Sequence, residues 1–221
     1  NTIEDFWQNN KVFLVTNSEQ VIENVRKRLQ EITSQEPADD LDRFEARRGT
    51  EFLAMMGMLD KRTYWDFIQY TLRVDRLDTL RDWTFNVLEM VYNSGFFSED
   101  GHQSERIVQS VGTLGLYVAS ITENFIQDVF ETRLGELSPL MKASFGLAML
   151  EGCDTEGLKD RCERNAVVSV LKSIVKDQHI MDLIRGNDYY QGRLNRLLAL
   201  GSPHSDYYHE CLASGAEDHL R

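Results

Sequence analysis

The stretch from Arg47 to Ile68, RRGTEFLAMMGMLDKRTYWDFI, constrains the fold more than any other part of the chain. Phe52, Met55, Met56 and Leu59 recur at helical spacing, which gives a first helix one apolar face. Asp60, Lys61 and Arg62 interrupt that pattern, and Tyr64, Phe67, Ile68 and Leu72 then supply a second stripe. The expectation is a helical hairpin around a charged turn, its aromatic weight placing it at the centre of a small core.

The pattern returns 116 residues later, where Asp66 faces Asp182 and Arg48 faces Arg164. At that offset Phe52 meets Val168, Met55 meets Leu171, Leu59 meets Val175, Trp65 meets Met181, Phe67 meets Leu183 and Ile68 meets Ile184. The chain therefore reads as two divergent copies of one small helical unit. The predicted core comprises Phe52, Met55, Leu59, Trp65, Phe67 and Ile68 in the first copy, and Val168, Leu171, Val175, Leu183 and Ile184 in the second.

Only three prolines occur in 221 residues and strand-like alternation is scarce, so an all-α chain is expected. Residues 1–97 read as a first bundle: a helix over 2–16, one carrying Ile22, Val25, Leu29 and Ile32, a short one through Leu41 and Phe44, the hairpin, and a last stripe from Leu77 to Val91. Residues 98–104, polar and with Gly101, form the expected linker. A second bundle spans 105–203. It opens with a long helix from Glu105 to Thr132 that Gly112 and Gly115 can bend. A restart at Ser138-Pro139 follows, with the serine as cap and the proline at the first helical position, and a last helix is capped by Asp188. The polar tail 204–221 reads as either a docked helix or a loose end.

Net charge is −12, from 36 acidic and 24 basic residues, so the surface as a whole repels phosphate backbones and direct nucleic-acid binding is not expected. Cys153, Cys162 and Cys211 are an odd number with no framework spacing, which fits a reducing, cytoplasmic compartment. The uncharged run Ile107 to Thr122 is too short and polar to span a bilayer, so no membrane association is expected. The first residue is Asn, which suggests a fragment of something larger.

No phosphate-cradling Gly-x4-Gly-Lys loop is present. His204, His209 and Cys211 are zinc-ligand types, but their spacing fits no common site. Asp39, Asp40 and Asp42 lack the glycine and ligand order of a calcium loop. Trp7, Trp65 and Trp83 stand in core stripes and are read as packing residues, not base-stacking platforms. No catalytic residues, cofactor or metal are expected.

A fourth helix like FLAMMGML, a turn DKR, a fifth helix YWDFIQYTL, and the segment VVSVLKSIVKDQHIMDLI from Val167 to Ile184 together resemble the caspase-recruitment (CARD-like) branch of the death fold. Two such domains in tandem are similar to the N-terminal region of RIG-I-like RNA helicases, including nematode Dicer-related helicases. The resemblance implies two tandem six-helix death-fold bundles that act as a non-enzymatic protein interaction module. It also implies protein partners (other CARD-like domains, adaptors or pathway proteins), with an RNA helicase downstream acting in antiviral RNA sensing or small-RNA production. Association of this kind relies on complementary charge on helix faces. Arg26, Lys27, Arg28, Arg47 and Arg48 are candidates for a basic surface; Glu36, Asp39, Asp40 and Asp42 for an acidic one. Two other readings stay open. One is a helical scaffold or viral structural protein without death-fold relation, suggested by the long helix from Glu105. The other is a small helical enzyme using His204 to Cys211.

Overall fold

Two helices of the first half start where an aspartate side chain satisfies a free backbone N–H group. In the computed structural model, which describes residues 19–35, 39–94, 102–153, 161–199 and 202–218, every regular element is helical. Helix α1 covers residues 19–33, and α2 (Asp40–Met55) begins at Asp39, whose carboxylate accepts from the Asp42 N–H at 2.7 Å. Helix α3 (Lys61–Val74) begins at Asp60, which accepts from both the N–H and the hydroxyl of Thr63. Helices α4 (Asp78–Asn93) and α5 (His102–Gly112) follow.

Between α2 and α3 the chain reverses through Gly57, at φ +65°. The Met58 N–H donates to the Leu53 carbonyl and the Gly57 N–H to that of Ala54, the paired bonds of a Schellman stop. This αL position is open to glycine without the Cβ penalty of other residues. The turn thus lies at residues 56–60, and Lys61 and Arg62 already belong to α3.

The short helix expected through Leu41 and Phe44 is not separate from the hairpin. It is the first half of the sixteen-residue α2, because nothing between Phe44 and Arg47 breaks the helix. Its two halves differ. Leu41 and Phe44 are 59% and 57% exposed, whereas Thr50 through Met55 are buried without interruption. Around them, Tyr64 and Phe67 each stand 5.2 Å from the Trp83 ring, centroid to centroid, in tilted pairs. Phe52, Met55, Leu59, Phe67 and Ile68 lie in this core. Trp65 departs from expectation: the buried stripe of α3 runs Tyr64, Phe67, Ile68, Thr71, and Trp65 sits half-buried at its margin. Leu77 also departs, because it is the residue before α4 and 44% exposed.

The chain separates into two compact units, one up to Ser110 and one from Val111, so the division falls near the end of α5. Of the expected linker 98–104, residues 98–101 lie outside the described residues, and His102 already begins α5. The helix expected over 2–16 also lies outside them.

The second unit is organised around one helix, α8 (Pro139–Cys153), entered through Ser138, whose hydroxyl accepts from the Met141 N–H. Met141 to Leu150 are buried without exception, Lys142 and Ser144 included, so this largely apolar helix has no solvent-facing side over that run and must be enclosed. Its neighbours are α6 (Gly115–Ile121), α7 (Leu134–Leu137), α9 (Arg164–Val175), α10 (Gln178–Arg185), α11 (Asp188–Leu197) and a π-helix, π1 (Ile126–Arg133). Glycines allow the close approaches. A Cβ on Gly112 would lie 2.3 Å from the Ala148 Cβ, and one on Gly152 would lie 2.0 Å from the Thr113 carbonyl oxygen.

The single long helix expected from Glu105 is broken in three. It stops at Gly112, resumes at Gly115, and stops again before Asn124, which adopts φ +58°. Beyond that break the helix widens. Phe125, Val129, Phe130 and Leu134 are all buried, at spacings of four and five. At 3.6 residues per turn Phe125 and Leu134 would fall on opposite sides of a helix, whereas i→i+5 winding keeps them on one.

The second hairpin is also shorter than its counterpart. Asp177 caps α10 by accepting from the Ile180 N–H, and the helix ends at Arg185, so it has eight residues where α3 has fourteen. Its buried stripe is Ile180, Met181, Ile184, and that of α9 is Val167, Val170, Leu171, Ile174. Val168, Val175 and Leu183 therefore lie half-buried beside their stripes, while Leu171 and Ile184 lie in the core. The cap of α11 is Asn187, not Asp188, because its side chain accepts from the Tyr189 and Tyr190 N–H groups. The tail forms a further helix, α12 (Pro203–Asp218), which packs on α9.

Candidate interaction surface

The charged residues singled out in the sequence are engaged, for the most part, within the first unit. Arg28 donates to Glu45 at 2.8 Å and to Asp42 at 3.1 Å, and also lies 3.7 Å from Glu31. The hydrogen bond to Glu45 raises its pKa above the ordinary guanidinium value. The expected basic and acidic surfaces thus meet each other, as the two sides of the α1–α2 contact. Arg26 donates to the Met58 carbonyl at 2.9 Å and lies 3.5 Å from Asp60, so it braces the turn between α2 and α3.

Asp39 is the cap of α2, and Asp40 is bonded by Arg43, three residues on. That bond raises the Arg43 pKa. Glu36 lies outside the described residues. Lys27 is exposed on α1, on the rim of an open cleft of about 290 Å³ between α1 and α3 that Glu23, Arg62 and Asp66 also line.

Arg47 and Arg48 share one partner, and the arrangement is unusual. Glu51 is 2% exposed, and its two oxygens take one arginine each: Arg47 Nε at 3.3 Å and an Arg48 terminal nitrogen at 2.8 Å. Both guanidinium side chains remain about two-fifths exposed. The Arg48 guanidinium lies over the Phe44 ring, 5.5 Å from its centroid, in cation–π contact. Phe44 and Leu41, one helical turn apart, complete an exposed face of apolar and cationic groups. The sequence placed Leu41 and Phe44 on a short helix without assigning them a side. The signal for their exposure was the density of charge around them, Asp39-Asp40-Leu41-Asp42-Arg43-Phe44-Glu45, where a helix has no wholly apolar side.

The second unit holds a different kind of ion pair. Arg193, 1% exposed, donates two bonds to Glu151, at 2.9 and 2.7 Å, and so ties α11 to α8. A second cleft, of about 340 Å³, runs between the start of π1 and the start of α9, lined among others by Thr122, Asn124, Glu131, Glu163 and Ser169. His204 is buried at the start of α12, His209 is exposed, and Cys211 is buried with its thiol 3.9 Å from the Val168 carbonyl. Burial pushes the Cys211 pKa up, which keeps the thiol protonated and opposes metal ligation. Among the described residues no three His, Cys, Asp or Glu side chains converge on a position that could hold a metal ion. None of the described helices is long and apolar enough to cross a membrane.

No protein-family model matches the chain, and no curated protein or solved structure matches it either.

Proposed function

We propose that this chain is a non-catalytic protein interaction module, similar in kind to the tandem CARD-like region of RNA helicases that act in antiviral RNA sensing or small-RNA pathways. The observation that carries this reading is the exposed face of α2. Leu41 and Phe44 present large apolar surface beside arginines held in fixed orientation, the composition of a protein recognition patch. The repeated hairpin text and the division into two compact helical units favour tandem recruitment domains. The reading places the partner among helical adaptors or pathway proteins and the RNA chemistry elsewhere on the polypeptide.

The test is capture of partners from nuclease-treated native extract on the immobilised chain, analysed by mass spectrometry. A protein retained in near-stoichiometric amount and insensitive to nuclease is the expected result. Retention that disappears with nuclease, or no protein above a bare-matrix control, would overturn the reading.

A further inference from the structure

We propose that the Leu41, Phe44, Arg47 and Arg48 face of α2 is a docking site for an acidic amphipathic helix of a partner protein. This deepens the reading of the chain as an interaction module and rests on it. Leu41, Phe44 and Arg48 fall at i, i+3 and i+7, so they line one strip of the helix, with Arg47 alongside. The acidic groups nearby are already engaged: Asp39 caps the helix, Asp40 pairs with Arg43, and Asp42 and Glu45 both pair with Arg28 on α1. One buried carboxylate, that of Glu51, faces two arginines and offsets only one of them, so the Arg47, Arg48 and Glu51 group keeps one positive charge on a chain whose formal charge is −12.

Burying a carboxylate at Glu51 is costly, and a hydrophobic residue of similar size would serve packing equally well. What Glu51 adds is direction. It fixes Arg47 and Arg48 at the surface by one bond each, and Phe44 supplies a face on which the Arg48 plane rests. The remaining N–H groups of both guanidiniums are thereby pre-set to receive carboxylates, with little side-chain freedom left to lose on binding. Apolar groups spaced one turn apart match the anchors of a helix laid along the strip, and charge complementarity selects an acidic one. A single-stranded RNA would also find an aromatic ring and two arginines here, but its continuous phosphate backbone would run past the strip onto the acidic remainder of the chain, whereas a helix can confine its carboxylates to the two arginines.

The experiment is a fluorescence-anisotropy titration of the 221-residue chain with a labelled helical peptide carrying Leu and Phe one turn apart between Asp and Glu. A peptide with Lys in place of the acids and a single-stranded RNA are the comparisons. The acidic peptide should bind, more weakly as salt is raised, and the double variant Leu41→Ser/Phe44→Ser should lose about tenfold or more in affinity. Both positions are exposed, so the variant should fold as wild type, and circular dichroism checks this. Arg47→Ala should weaken binding and flatten the salt dependence. Equal binding by wild type and the double variant, preference for the Lys peptide, or preference for RNA would each overturn the proposal. If the double variant still captures the same partner from extract while the acidic peptide fails to bind, the α2 face is excluded and the module reading stands. If wild type captures no partner, the module reading falls first.

Discussion

Residues of the same chemical type carry opposite burdens in this chain. Arg28 and Lys27 are neighbours on α1, yet Arg28 is bonded to two carboxylates of α2 and Lys27 is exposed. Arg28→Ala should therefore lower stability only slightly, because the pairs are solvent-screened. Lys27→Glu should leave thermal stability unchanged within about 0.5 kcal/mol. Chemical denaturation of the two variants in parallel separates the roles. Arg193 is different again, since its bidentate pair with Glu151 is enclosed on the arginine side. Arg193→Ala should cost about 3 kcal/mol in the same assay. Three protonated groups set a pH limit. Burial pushes up the Tyr64 phenol, despite the opposing Thr84 hydroxyl, the Tyr70 phenol, and the Cys211 thiol. Above about pH 8.5 for the thiol and about pH 10 for the phenols the unfolded chain releases protons that the folded chain retains. Stability should thus be intact at neutral pH and fall as pH rises through this range. Tyr64→Phe should flatten the part of the decline above about pH 10, measured by urea unfolding across the series.

At the scale of elements, the glycines of the second unit divide sharply by what surrounds them. Gly152→Ala would drive a Cβ into the Thr113 carbonyl and should cost about 3 kcal/mol. Gly135 in α7 has nothing within 4 Å of the place a Cβ would occupy, so Gly135→Ala should stabilise by about 0.5 kcal/mol. Thermal melts of both variants check the contrast. The helical character of the chain was legible in the sequence because stripes such as Leu80, Val87, Leu88 and Val91 announce a buried side directly. The Ser138-Pro139 start was legible for the same kind of local reason. What escaped periodicity was phase and winding. A one-residue shift of the α9 stripe moved Val168 and Val175 off the core, since three neighbouring apolar positions permit several registers. The π1 winding could have been read from Phe125, Val129, Phe130 and Leu134, whose four-and-five spacing no α-helix satisfies. The candidate surface was legible only in part. Arg47 and Arg48 could be proposed from charge, but their convergence on Glu51, and the exposure of Phe44, depend on packing around the other half of α2.

For the whole molecule, acidic residues outnumber basic ones in both units. Affinity for single-stranded RNA should accordingly be weak and vanish at physiological salt, which an electrophoretic or anisotropy titration over a salt series will show; tight binding with a steep salt slope would contradict it.

The enclosure of α8 has a consequence for the life of the chain before it is folded. Leaving the ribosome, this segment is among the most water-averse of the sequence, and α9, α10 and α11, which cover much of it, are synthesised later. A nascent or truncated chain ending near Cys153 would display that surface bare, a species prone to aggregate and to be taken up by chaperones or proteases. The second unit therefore has no useful half-built form, and damage to any of its covering helices should be felt in the cell as lost abundance before it is felt as lost binding.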